Sequence, residues 1–351
     1  MESAIPKHLR TTVTQPRSTP QGYHPPFPAW TTRFAPDTHQ VVMMYLGIQS
    51  QQRIDFQQLE PILSYFKQDQ NPGYWTPAEY VDAQGFHNLI ITAYWIDQAH
   101  FTDWFKHSGF DQWWNAADRE QDDVGYFLEI SCPTIAEFET IFSDSSTPEG
   151  IAHLSTNMSD DILEHGYYGS MRDRLPVAQQ HSLSGSKLNK DKCLYKSAHR
   201  IQVIGQNHLS LIRSGQDWSD TEADERVLYL NHVEPTLKRG MQFLRDEGLA
   251  EGCLNCRYLT VLNPDTGETT DKSFGLAYFQ DLQHLEQWAK SHPTHVAIFG
   301  EFMNYVQRMN FQIKLKLFHE VISVPAQSQF FEYINCHSQT GLLNALNGEH
   351  A

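Results

Sequence analysis

Near the C-terminal end the chain alternates with period two. Phe311, Ile313, Leu315, Leu317, His319 and Val321 fall on one side of the run, and Gln312, Lys314, Lys316 and Glu320 on the other. This pattern predicts a strand with one buried face and puts His319 on that face. Just upstream, Ser291-His292-Pro293-Thr294-His295 predicts a helix start, with Pro293 suited to the first turn. His295, Phe299, Phe302 and Val306 then recur at i, i+4, i+7 and i+11, one apolar stripe. An imidazole buried without a partner costs about 1–3 kcal/mol. Two such rings on consecutive elements point to something shared in the interior, and a bound metal or haem would offset the cost.

The chain also echoes itself. Ala93-Tyr94-Trp95-Ile96-Asp97-Gln98-Ala99-His100-Phe101-Thr102-Asp103-Trp104 returns 184 residues later as Ala277-Tyr278-Phe279-Gln280-Asp281-Leu282-Gln283-His284-Leu285-Glu286-Gln287-Trp288. In both copies an apolar run ends in a turn and a helix follows, with Asp97 and Asp281 placed as N-caps. A second echo sets Glu129-Ile130-Ser131-Cys132-Pro133 against Glu320-Val321-Ile322-Ser323-Val324-Pro325. Each half reads strand, helix, strand, helix, with further strands at Val41–Ile48 and Arg257–Asn263. The fold class expected is α+β: duplicated ferredoxin-like halves forming a barrel-type core with flanking helices. The organisation expected is an N-terminal extension (1–36), a first half (37–165), a connecting segment (166–200) and a second half (201–345). A strand is expected over Ile201–Arg213, a helical stretch over Ser219–Gly248, an exposed loop over Gln179–Lys192 and a helix over Thr134–Phe142. His295 aligns with Asp111, and His319 with Phe127 or Leu128. The second copy thus carries histidines where the first has acidic or apolar residues.

Composition narrows the functional classes. Twenty-six basic and 42 acidic residues give a net charge of −16, which argues against nucleic acid or an anionic membrane as a partner. No apolar run is long enough to span a bilayer, and the polar N-terminal stretch lacks a signal-peptide core, so a cytoplasmic location is expected. The five cysteines are too few and too scattered for a disulfide framework. Cys253-Leu-Asn-Cys256 is a lone CxxC followed by Arg257, so it fits neither a zinc site nor covalent haem attachment.

Several segments together resemble the aldoxime dehydratases, haem-containing lyases that form nitriles. They are Gly166-Tyr167-Tyr168-Gly169-Ser170-Met171-Arg172-Asp173-Arg174, Leu211-Ile212-Arg213-Ser214-Gly215-Gln216-Asp217-Trp218, Ser291-His292-Pro293-Thr294-His295, Phe318-His319-Glu320-Val321 and Phe331-Glu332-Tyr333-Ile334-Asn335-Cys336-His337. The likeness extends from Met1-Glu2-Ser3-Ala4-Ile5 to Thr340-Gly341. The stretch from Gly300 to Gln312 departs from the family form by being a few residues longer. The resemblance implies that His295 is the proximal ligand of a non-covalent haem b, ferrous in the active form. It implies that His319 stands on the distal face as general acid and base, that Ser214 and Arg174 line the distal pocket, and that Glu139 supports it. It also implies an aldoxime substrate, a homodimer and a scaffold akin to the dimeric α+β barrels. The chemistry asks for such residues: hydroxide leaves poorly from N–OH unless protonated, and an imidazolium delivers a proton near neutral pH.

From the residues alone, alternatives stay open. Arg172 rivals Arg174, His292 and His337 rival His295, and Ser214 before Gly215 reads equally as a turn residue. Glu139 reads equally as a solvated charge. A haem peroxidase using His319 and Arg174, and a haem carrier or sensor, are the rival functions.

Overall fold

The computed structural model describes residues 1–68, 71–188 and 190–347. Its strands are, in chain order, β1 (Thr32–Arg33), β2 (Val42–Ser50), β3 (Tyr74–Val81), β4 (His87–Trp95), β5 (Gly125–Ser131), β6 (Phe138–Phe142), β7 (Asn157–Met158), β8 (Cys193–Tyr195), β9 (Arg200–Val203), β10 (Leu209–Asp217), β11 (Cys253–Leu262), β12 (Thr269–Phe279), β13 (Lys316–Val324) and β14 (Gln329–Ile334). β1 and β7 form a small ribbon. The others share one sheet in the order β6-β13-β10-β12-β11-β3-β4-β2-β5-β14-β9-β8. At its centre β11 meets β3 through Thr260↔Glu79 and Val261↔Ala78. On either side of this junction four strands run outward in one and the same chain order: second, third, first, fourth. The fifth strand of each set crosses over, β6 pairing with β13 and β14 with β5.

Burial follows the two faces of the sheet. Tyr45, Tyr94 and Phe127 from the first set and Leu211, Phe274, Tyr278 and Ile322 from the second belong to one shared apolar core. Buried polar contacts cross it: Tyr94 donates to Glu320 at 2.7 Å, and Arg257 donates twice to Glu129 at 2.6 and 2.7 Å. The opposite face of the first set is packed with rings, among them Trp95, Trp104, Phe110 and Trp114. The opposite face of the second set, with Ala277, Phe279 and Val321, meets Leu244, Leu285, Trp288 and Ile298. Those residues come from the helices Glu234–Asp246, Leu282–Ser291 and Pro293–Arg308. Asp97 and Asp281 cap equivalent helices, accepting from His100 N at 2.7 Å and His284 N at 3.0 Å.

Four sequence expectations are corrected. The strand bearing His319 starts at Lys316, not Phe311, because Asn310 and Phe311 adopt positive φ (52° and 62°), which breaks the extended run and leaves Phe311 exposed. Glu320, expected on a solvated face, is fully buried, because the reverse face of β13 looks into the shared core. The capping box of Thr134 and Glu137 opens only the 3-10 turn Ile135–Glu137, and Glu139 then lies on β6 rather than on a helix. The strand expected over Ile201–Arg213 is interrupted into β9 and β10, with His208 at φ 64° in the break. The expected helical stretch Ser219–Gly248 contains Ala223–Leu228, a π turn at Tyr229–Val233 and Glu234–Asp246. The expected loop Gln179–Lys192 includes residue 189, outside the described residues.

Candidate active site

β13 lies between β10 and β6, and this neighbourhood gathers the polar residues. His319 is the register partner of Ser214 on β10 and of Ile141 on β6, while Glu139 on β6 pairs with Val321. Side chains alternate along a strand, so His319, Val321, Ser214, Ile141 and Glu139 share the outer face. Arg174 arrives from outside the sheet, at the end of the short helix Ser170–Arg174 that starts after Gly169 at φ 86°.

Arg174 and Glu139 form a two-point ion pair, Nε to Oε2 at 2.7 Å and Nη2 to Oε1 at 3.2 Å. Both side chains are only 1% exposed, so the pair is desolvated and each charge depends on the other. Nη1 of Arg174 also donates to the Glu164 carbonyl at 2.7 Å and to Ser170 Oγ at 3.0 Å. Burial alone would raise the Glu139 carboxyl, but Arg174 and then His319 outweigh it and hold it below the usual carboxylate range. Nε2 of His319 sits 3.0 Å from Glu139 Oε1 and 2.9 Å from Arg174 Nη2. It can donate to the carboxylate or accept from the guanidinium, never both. With Nε2 so engaged, Nδ1 is the ring nitrogen left to meet a substrate. The His319 side chain is one-fifth exposed.

On the same face of the sheet, the helix Pro293–Arg308 packs through Ile298 against the apolar cluster that includes Val321. His292 is its N-cap, its ring accepting from Thr294 N at 3.3 Å and stacking on Phe243 at 4.2 Å, an ordinary capping role. His295, one turn further in, packs edge-on against Trp288 at 4.8 Å. Its Nδ1 is buried and meets no hydrogen-bond partner at bonding geometry among the described residues. Burial, only partly offset by the Ala289 carbonyl, pushes this ring down to about 4, so it is neutral at pH 7, as an iron ligand must be. Beside it Val296 and Phe299 are 45% and 49% exposed, although the sequence places Phe299 on the buried stripe. Two uncovered apolar side chains flanking a neutral imidazole fit a flat apolar group bound through iron, and a haem meets that description.

The remaining candidates lie elsewhere. Arg172 pairs with Glu286 at 2.7 Å, and His337 with Asp82 at 2.9 Å. Glu164 and Ser170, which hold Arg174, were missed by the sequence reading; the only signal was Gly169-Ser170 at a helix start, and a backbone carbonyl leaves none.

The model of the haem-containing dehydratase family matches residues 44–342. The chain is 40% identical over 348 residues to an aliphatic aldoxime dehydratase of Pseudomonas chlororaphis, covering 98% of each chain. It is 31% identical over 333 residues to a phenylacetaldoxime dehydratase of Bacillus sp. (strain OxB-1), covering 93% of this chain and 94% of that one. A crystal structure of an aldoxime dehydratase in complex with butyraldoxime matches with a TM-score of 0.92 at 38% identity, over 99% of this chain and 97% of that chain.

Proposed function

The chain belongs to the haem-containing dehydratases, and from that premise we infer that it is an aldoxime dehydratase, a lyase that converts R–CH=N–OH to R–C≡N and water. Aliphatic aldoximes are the class proposed, since the relative named for them is 40% identical and the one named for phenylacetaldoxime 31%. The cofactor proposed is haem b, ferrous in the active form, with His295 as its proximal ligand and His319 across the cleft.

The observation that carries this reading is the contact of His319 with Glu139 and Arg174, beside Ser214. When bound, haem supplies an iron position for the oxime nitrogen and electron density for the N–O bond that breaks. The remaining steps belong to side chains. Ser214 orients the oxime hydroxyl. Nδ1 of the His319 imidazolium protonates that oxygen, so that water rather than hydroxide departs. Glu139 keeps the other ring proton on Nε2, and Arg174 keeps Glu139 in place, so the freed Nδ1 can take the carbon-bound proton. The ring ends as it began, and no net oxidation occurs.

A peroxidase would need Arg174 free to meet a distal oxygen, but four of its five N–H donors are committed to Glu139, Glu164 and Ser170, and Nη2 also lies 2.9 Å from His319 Nε2. We further propose that the two strand sets are duplicated ferredoxin-like halves of one haem domain, that the protein is a homodimer and that it is cytoplasmic. Among the described residues no helix is long and apolar enough to cross a membrane.

The test is anaerobic turnover of butyraldoxime by dithionite-reduced, haem-loaded protein. Butyronitrile should form with the native chain and vanish in His319→Ala with the Soret band retained. Haem binding with no turnover of aliphatic or aromatic aldoximes would sink the proposal.

A further inference from the structure

Behind the Arg174–Glu139 pair runs a segment far away in sequence. Glu2 bridges to residues 161–163, donating from N to Asp161 O at 2.7 Å and accepting from Leu163 N at 2.9 Å. The next two residues grip the buried carboxylate of Glu164: Ser3 Oγ donates to Oε1 at 2.9 Å and Ala4 N to Oε2 at 2.8 Å. Arg33, on β1, holds the segment from the other side through the Ala4 and Ser3 carbonyls at 2.6 and 2.9 Å. The same Glu164 offers its backbone carbonyl to Arg174 Nη1. Ala4 and Pro6, with Glu139 and Arg174, also line a cavity of about 30 Å³.

We propose that Glu164 is a positioning residue and that Ser3 and Ala4 clamp it, fixing Arg174 at its distance from Glu139 and His319. The proposal rests on the reading that Arg174 serves His319. A guanidinium with several acceptors takes its position from all of them, and the residue that offers the Glu164 carbonyl is itself held through its side chain by Ser3 and Ala4. Losing the clamp leaves a buried carboxylate without donors, and the turn at 163–165 must then move to hydrate it. Shifts of about 1 Å in a supporting group can cost a hundredfold in rate.

Two sets of variants test this on the full chain. Glu164→Ala removes the carboxylate, and Glu164→Gln keeps a side-chain oxygen for Ala4 N and an amide for Ser3. Ser3→Ala combined with Ala4→Pro removes both donors while leaving Glu164 intact, which guards against a folding failure in the first set. Two readouts are taken: the Arg174 Nε–H NMR resonance in protein without haem, assigned by its loss in Arg174→Lys, and kcat and KM of the loaded enzyme. In Glu164→Ala and in the double variant the resonance should lose its exchange protection, and kcat should fall about tenfold with KM changed less than twofold. Glu164→Gln should restore most of both. A protected resonance and native kcat in the folded double variant would overturn the clamp. Native turnover in Arg174→Ala would instead overturn the site reading, whatever the resonance shows.

Discussion

Ser214 and His319 face one another as register partners on adjacent antiparallel strands. The positions equivalent to them in the first strand set are Leu46 and Leu128, which are likewise register partners. The equivalence follows from the echo of Glu129 in Glu320, whose cross-strand partners are Tyr45 and Arg213. One set thus fills its outer face with leucines under a bed of tryptophans, and the other presents a hydroxyl and an imidazole. His319→Leu, which copies the first set, should leave the fold intact and lower nitrile formation by at least about a thousandfold. Ser214→Ala should cost about ten- to a hundredfold, as expected for one lost orienting hydrogen bond. Steady-state assays with butyraldoxime, alongside the Soret band, check both.

His295→Ala should bind haem weakly or not at all, and its reconstituted Soret band should be small and shifted. Added imidazole should restore part of the band. His292→Ala should leave the spectrum near native and lower the melting temperature slightly, because that ring caps a helix.

Glu139→Gln leaves the Arg174 guanidinium buried without its counter-charge. A stability loss of about 3 kcal/mol is expected, measured by urea unfolding of protein without haem. Replacing Arg174 with methionine as well should recover part of it, since the unpaired charge is then gone. Activity should stay low in both variants.

His165 makes a pH prediction. It is fully buried, neither ring nitrogen meets a hydrogen-bond partner among the described residues, and burial, then Arg174, push it down to about 4 against the opposing Asp161. The unfolded chain therefore binds a proton that the folded chain refuses between pH 6.5 and about 4. Stability present above pH 6.5 is lost as the pH falls through this window, by about 1–3 kcal/mol. In His165→Phe that part of the acid sensitivity should disappear, which urea unfolding at pH 7 and pH 4.5 measures directly.

Local signals in the sequence were legible and distant pairings were not. Asp97 and Asp281 as caps, the helix from Pro293 and the placement of His319 on a strand all rest on neighbours a few residues apart. Glu139 was misplaced because Thr134 and Glu137 make a genuine capping box, and only pairing with β13, some 180 residues away, turns the next residues into a strand. Glu320 was misread because alternation assumes one wet face, whereas both faces of β13 are covered. Arg174 and Arg172 are alike in sequence; they part company only because one meets Glu139 and the other Glu286.

The exchange of β6 and β14 between the two strand sets governs how the protein can be made. The carboxylate that steadies the imidazole is translated early, whereas the strand it must lie against emerges near the end of synthesis. The early portion, in turn, waits for β14 to close its own edge. Neither portion is therefore expected to mature alone on the ribosome, and separately expressed fragments should acquire a working cleft only when they meet.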